Sequence, residues 1–236
     1  MKKILKMIFI LVVIVALIVI LFKVKIKKVN LIGNTKYEET ELISKIFENE
    51  FDRISIVFFI KDKFFKHKDL TYIEKYETKW ETPFTIDIVV YEKEPIGFVK
   101  NDLKNVYFDK DGIINEISEE RKANIPEVRG INFKRYVKGE KLGLENKNLL
   151  NAILNITSTI KNYDMPFELL EFDKDDNIII YCGDITVLLG DTRNMEVKLQ
   201  RLKDIHPEIK DLKGILDLRE ARDNMLDEKY IFKKTG

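Results

Sequence analysis

Few residues in this 236-residue chain have a type and spacing that could do chemistry. The two histidines stand apart: His67 lies in a Lys-rich segment, and His206 comes just before Pro207. Neither has a Cys, Asp or Ser at a spacing that suggests a triad or a zinc site, so both read as surface residues. The one cysteine, Cys182, cannot close an intrachain disulfide or hold a metal by itself. It ends the apolar run Ile178–Cys182 and reads as a buried thiol.

Asp173-Lys174-Asp175-Asp176-Asn177 has the acid density of a calcium loop but not its pattern. Ile178 stands where such a loop needs Gly, and no Glu closes it, so a β-turn is expected. Gly33-Asn34 precedes a helix whose N-terminus could cradle an anion. Glu38, Glu39 and Glu41 would repel that anion, so a turn followed by a helix cap is the better reading. The sequon Asn155-Ile156-Thr157 falls mid-helix and is read as chance. The chain has no G-x-S-x-G, H-E-x-x-H, P-loop or G-x-G-x-x-G. We therefore expect a non-catalytic protein with no cofactor, no metal and no small-molecule substrate.

The charges are balanced in total, 41 Lys+Arg against 40 Asp+Glu, but they are segregated. Residues 1–28 hold seven Lys and no acid. The remainder carries 34 basic against 40 acidic residues, a formal charge of −6, which gives no reason to expect nucleic-acid binding. Met7–Phe22 is an unbroken apolar run. As a helix it is ~24 Å long at ~1.5 Å per residue, slightly short of a ~30 Å bilayer core. Ile4, Leu5, Val24 and Ile26 extend it, and the flanking Lys side chains can snorkel. No small-x-small cleavage site follows, so an uncleaved signal anchor over 7–26 is expected, after a tail of residues 1–6. The positive-inside count, three Lys plus the amino terminus against four, does not orient it. The Lys cluster itself is expected to contact anionic lipid.

The body divides in two. Residues 27–95 read β-α-α-β-β. A strand holds Val29 and Leu31, Thr35 and Glu38 fit a capping box, and Leu42, Ile43, Ile46 and Phe47 form a helical stripe. Ile54–Ile60 and the Phe- and Lys-rich stretch to Lys68 suggest a second helix. Tyr72, Glu74, Tyr76, Thr78 and Trp80 then share one face of a strand, and Phe84, Ile86, Ile88 and Val90 one face of the next, with Thr82-Pro83 between. Residues 96–236 read as a mixed α/β domain dominated by an antiparallel sheet. Strands are expected at Ile96–Val99, Val106–Phe108, Ile113–Ile117, Phe167–Phe172, Ile178–Cys182, Ile185–Leu189, Gly214–Leu218 and Lys229–Lys233. Helices are expected at Glu145–Tyr163 and Met195–Leu202. The fold class is α+β.

In this order the motifs resemble the FtsQ/DivIB family of bacterial cell-division proteins. Val29-Asn30-Leu31-Ile32-Gly33-Asn34 is similar to the first strand and "V-x-G-N" corner of a POTRA domain. Pro83-Phe84-Thr85-Ile86 followed by Ile88-Val89-Val90-Tyr91-Glu92-Lys93-Glu94-Pro95 resembles the family's "P-x-T-L-x-I-x-V-x-E-R-x-P". Tyr107-Phe108-Asp109 with Gly112, Ile125-Pro126 with Val128 and Gly130, and Gly214-Ile215-Leu216-Asp217-Leu218-Arg219 are similar to three later motifs. The set is collinear and covers nearly the whole chain.

The resemblance implies a single-pass protein of the cytoplasmic membrane with its N-terminus in the cytoplasm and its body outside, at the division septum. It implies a scaffold that contacts FtsB/DivIC-like and FtsL-like membrane proteins and so influences septal peptidoglycan synthesis. In relatives a partner segment adds to the sheet edge near the C-terminus, beside a helix. Those positions fall here on Lys229, Tyr230, Ile231, Phe232 and Lys233, with Arg219 and with Arg201 on the helix. A chain-terminal strand is also a physical candidate for an edge. Tyr230 and Phe232 lie on one face, either as an anchor pair for a partner or as core, in which case Ile231 points outwards. The rival readings are a POTRA-containing envelope secretion or assembly component and a membrane-anchored envelope hydrolase.

Overall fold

The structure, a computed structural model, describes residues 2–144, 146–163, 165–221 and 231–235. It is α+β and divides into two compact units, Met1–Lys93 and Glu94–Gly236.

The first unit begins with α1 (Lys2–Lys23), an apolar helix whose large side chains from Ile4 to Phe22 are all exposed. Its window Lys3–Lys23 has a mean hydropathy of 3.4, long and apolar enough to span a membrane. Each Leu, Ile, Val or Phe at the centre of such a helix favours the bilayer by about 0.3–0.6 kcal/mol. Next come β1 (Lys28–Ile32), α2 (Glu39–Ile46), a 3-10 turn (Glu50–Arg53), α3 (Ser55–Phe64), β2 (Ile73–Thr82) and β3 (Thr85–Glu92). The sheet order is β1-β3-β2, with β1 parallel and β2 antiparallel to the central β3. Leu42 from α2 and Phe58 from α3 close over Ile86, Ile88 and Val90, and Phe47 stacks on Phe58 at 4.8 Å.

Three expectations change here. Thr35 and Glu38 do not form a capping box. Glu38 itself is the N-cap of α2 and makes no side-chain cap bond. Thr35 is drawn elsewhere: its N–H and its hydroxyl, together with the Lys36 N–H, donate to the carboxylate of Glu92. The Gly33 corner therefore does hold an anion, the chain's own. Gly33 has φ +83°, and a Cβ there would lie 2.7 Å from the Val90 carbonyl. Second, the face of β2 is interrupted. A register shift between Ile73 and Lys75 turns Ile73 into the core and Glu74 outwards, while Tyr76, Thr78 and Trp80 keep the expected face. Third, α3 ends at Phe64, and residues 65–69 are not helical.

In the second unit β4 (Gly97–Asn101), β5 (Lys104–Phe108), β6 (Ile114–Ser118) and β7 (Glu127–Arg129) precede a small hairpin, β8 (Phe133–Arg135) with β9 (Gly143–Leu144). Then come α4 (Lys147–Asn162), β10 (Leu169–Phe172), β11 (Ile178–Cys182), β12 (Ile185–Gly190), α5 (Met195–Ile209), β13 (Gly214–Asp217) and β14 (Ile231–Lys234). Among the described residues nine strands form one sheet, in the order β14-β13-β12-β11-β10-β7-β4-β5-β6. Five of its eight pairings are antiparallel. The other three, β4–β7, β7–β10 and β12–β13, are parallel.

The strands expected from sequence do not include residues 127–129, yet β7 is the strand that joins the two halves of the sheet. Its three residues are too few to show alternation. The β8–β9 hairpin was likewise not foreseen. Helix α5 runs to Ile209, past the expected end at Leu202, with Pro207 inside it. Apolar residues Ile205 and Ile209 continue its buried stripe.

Candidate partner-binding edge

One face of the large sheet is covered by α4 and α5. Ile153, Ile156 and Ile160 from the first, and Leu199, Leu202 and Ile205 from the second, pack over Val106, Val128, Leu170, Ile180, Val187 and Leu216. Cys182 lies in this core, and burial pushes its thiol up to about 12, with Glu168 adding to the shift. It is inert as a nucleophile.

On the other face, the loop after β6 covers one half. The Glu120 carbonyl accepts from the Tyr107 hydroxyl at 2.9 Å, and Arg121 lies over the Phe98 ring. The half nearer β14 carries no such cover among the described residues. Ile179, Tyr181, Leu188 and Ile215 are half-buried there. Two polar groups border them. The Tyr181 hydroxyl donates to Glu171 at 2.8 Å, and the buried Glu127 is held by Arg129 and Lys100. Burial raises the Glu127 pKa, but those two cations outweigh it and leave it lowered.

The alternation along β14 decides where each side chain goes. Phe232 opposes Leu216, is half-buried and packs against the core. Gly214 makes the space, since a Cβ there would come within 2.7 Å of the Phe232 ring. Ile231, opposite Asp217, is therefore outside and is 56% exposed. Lys233 and Lys234 are exposed. The Thr235 N–H donates to the Lys213 carbonyl at 3.1 Å. By the alternation of an antiparallel pair, the Lys233 and Ile231 amides also face β13, and those of Phe232 and Lys234 face away from it. Among the described residues β14 pairs with β13 alone.

Arg219 follows β13 and grips Asp217 with both ends of its guanidinium, at 2.9 and 2.6 Å. That pair holds the Asp217 carboxyl below its ordinary value, against partial burial. The structure thus brings Ile231, Phe232 and Lys233 to one edge, while the Arg219 side chain packs over Gly190 of β12, on the other side of β13. Arg201 lies on α5, a separate element. Lys229 and Tyr230 lie outside the described residues. Of the two readings left open for Phe232, anchor or core, the ring takes the core side, because the small Gly214 lies beneath it.

Elsewhere, sequence spacing missed a polar network. His67 Nε2 lies 3.0 Å from Asp62, the ring stacks on Tyr76 at 4.1 Å, and the Thr78 hydroxyl donates to Asp62 at 2.6 Å. These partners meet across α3 and β2, which no short-range pattern reveals. Burial and Asp62 push the Tyr76 phenol to about 12. The Asp173 carboxylate accepts the N–H groups of Asp175 and Asn177 and the Asn177 amide, which makes the expected turn. Among the described residues no three His, Cys, Asp or Glu are grouped to hold a metal. No family model matches the chain, and no curated protein matches it.

Proposed function

We propose that this chain is a non-catalytic, membrane-anchored docking protein of the FtsQ/DivIB type. In this reading α1 crosses the cytoplasmic membrane once, the body lies outside, and the first unit acts as a POTRA domain at the septum. The second unit takes a strand from an FtsB/DivIC-like partner, with an FtsL-like protein in the same assembly. The motifs in collinear order and the strand–helix–helix–strand–strand order of the first unit support it. One observation carries it: among the described residues β14 is paired on one side only, so its outer N–H and C=O groups can template another strand. Exposed Lys233 and Lys234 favour a partner segment with acidic residues.

Lys234→Pro is the sharpest test. It removes an N–H that faces away from β13, and proline is tolerated at such edge positions. An added strand would leave a carbonyl without its donor, a penalty of ~1–3 kcal/mol, or roughly 5- to 150-fold in affinity. Co-purification of the DivIC-like partner should fall with Lys234→Pro and persist with Lys234→Ala. Equal capture by both variants would rule out strand addition at β14.

A further inference from the structure

The first unit carries an exposed aromatic cluster beside its anchor helix. Backbone hydrogen bonds pin two separate loops to the residues that follow α1. The Ser55 N–H donates to the Val24 carbonyl at 2.9 Å, and the Ile26 N–H to the Arg53 carbonyl at 2.7 Å. The Lys27 and Lys28 N–H groups both donate to the Phe84 carbonyl, at 2.8 and 3.1 Å. Residues Val24 to Ile26 are at most three positions past the end of α1, which an extended chain covers in about 10 Å. With α1 across a bilayer, these loops sit at the headgroup layer, which is roughly 5–8 Å deep on each side.

The side chains displayed there suit that layer. Phe51 is 71% exposed, Phe84 44% and Phe59 42%. Phe59 lies on α3, which packs against α1. Trp80, half-buried, meets Phe59 edge-on at 6.4 Å. In water these rings are a cost; at a membrane interface aromatic side chains are favoured. Around them stand Lys23, Lys25, Lys27, Lys28 and Arg53. Lys25 is paired with Glu50, Lys27 lies over the Phe84 ring, and Arg53 lies over Phe47. Glu50 and Asp52 are the acids of the group, and Asp52 is itself paired with Lys61, so cations remain in excess and the complement is an anionic leaflet.

We propose that Phe51, Phe59 and Phe84 form an interfacial foot that enters the headgroup layer of an anionic bilayer and fixes the first unit on the membrane surface. The proposal rests on α1 as a membrane span. It gives a role to exposed aromatic residues from three separate segments near the end of α1.

Trp80 is the only tryptophan of the chain and serves as a native reporter. The full chain would be placed in nanodiscs of phosphatidylglycerol and phosphatidylcholine brominated close to the headgroup. Trp80 emission should be quenched, and less so on phosphatidylcholine alone. The double variant Phe51→Ser, Phe84→Ser should lose most of the quenching while keeping the wild-type unfolding temperature. Retention of the chain in membranes after an alkaline wash, without quenching, overturns the foot alone. Release of the wild-type chain by that wash overturns the span and the foot together. Equal quenching of variant and wild type overturns the role of the two rings, and equal quenching on both lipid mixtures overturns the anionic preference.

Discussion

The two ends of the nine-stranded sheet are finished in opposite ways. At the β6 end Ile114 gives its N–H to Glu140 and takes the N–H of Gly139 on its own carbonyl, at 2.9 and 2.8 Å. The Lys141 bridge to Ile113 and the Leu142 N–H on the Gly112 carbonyl hold that segment down. At the β14 end, four residues form the edge, and no described segment lies beyond them. A bare edge invites pairing with other chains, and proteins normally cover it or guard it with charge. Within one sheet the start of β6 is covered, and β14 is left with two exposed lysines.

The largest expected effect comes from breaking the covered end. Leu142 is 2% exposed, so Leu142→Ala should cost roughly 2–5 kcal/mol by urea unfolding. It should also speed amide exchange at Ile114 and promote self-association through the released edge. A stability loss with Ile114 exchange unchanged would show that the segment does not guard that edge.

A smaller effect should separate the two faces of β14. Phe232→Ala should cost about 2 kcal/mol, below the ~3–5 of a fully buried ring, because Phe232 is half-buried. Ile231→Ala should stay within about 0.5 kcal/mol, as an exposed position does. The reverse order in urea unfolding would mean that Ile231, not Phe232, faces the core.

The smallest effect is pH-dependent. Arg219 depresses the Asp217 pKa, so the pair adds stability above the unfolded carboxyl value of about 3.9. That contribution is lost as pH falls through the lower folded value. Amide exchange at Ile231 and Lys233, corrected for its intrinsic rate, should therefore rise below about pH 4. Exchange at Ile114 should not follow it, and Asp217→Asn should remove the difference. Parallel behaviour of the two ends would mean that this ion pair does not hold β14 in place.

Most helices and strands were legible because their signals are local. The short apolar stretches Ile178–Cys182 and Ile185–Leu189, and the 3.6-residue stripes of α4 and α5, need only neighbours in sequence to show. What was misread depends on partners far along the chain. Glu92, 57 positions away, takes Thr35 from its expected cap. For His67 the distance in sequence is short, Asp62 lying five positions before it, and it is the packing of β2 that adds Tyr76 and Thr78 to the pair.

The candidate edge shows the same division within four residues. That Ile231 and Phe232 point to opposite sides is set by the two-residue period of a strand. Which of them faces inward is not, since either choice satisfies the alternation. Gly214, on the neighbouring strand, leaves the space that the Phe232 ring fills. By itself the sequence determined an apolar anchor helix, the strand–helix–helix–strand–strand order of the first unit and a strand near the chain end, because local hydrophobic pattern specifies these. Only the tertiary structure decided that this last strand lies at an edge, and that Ile231 is its outward residue. Strand order and facing come from long-range packing, which the local pattern does not record.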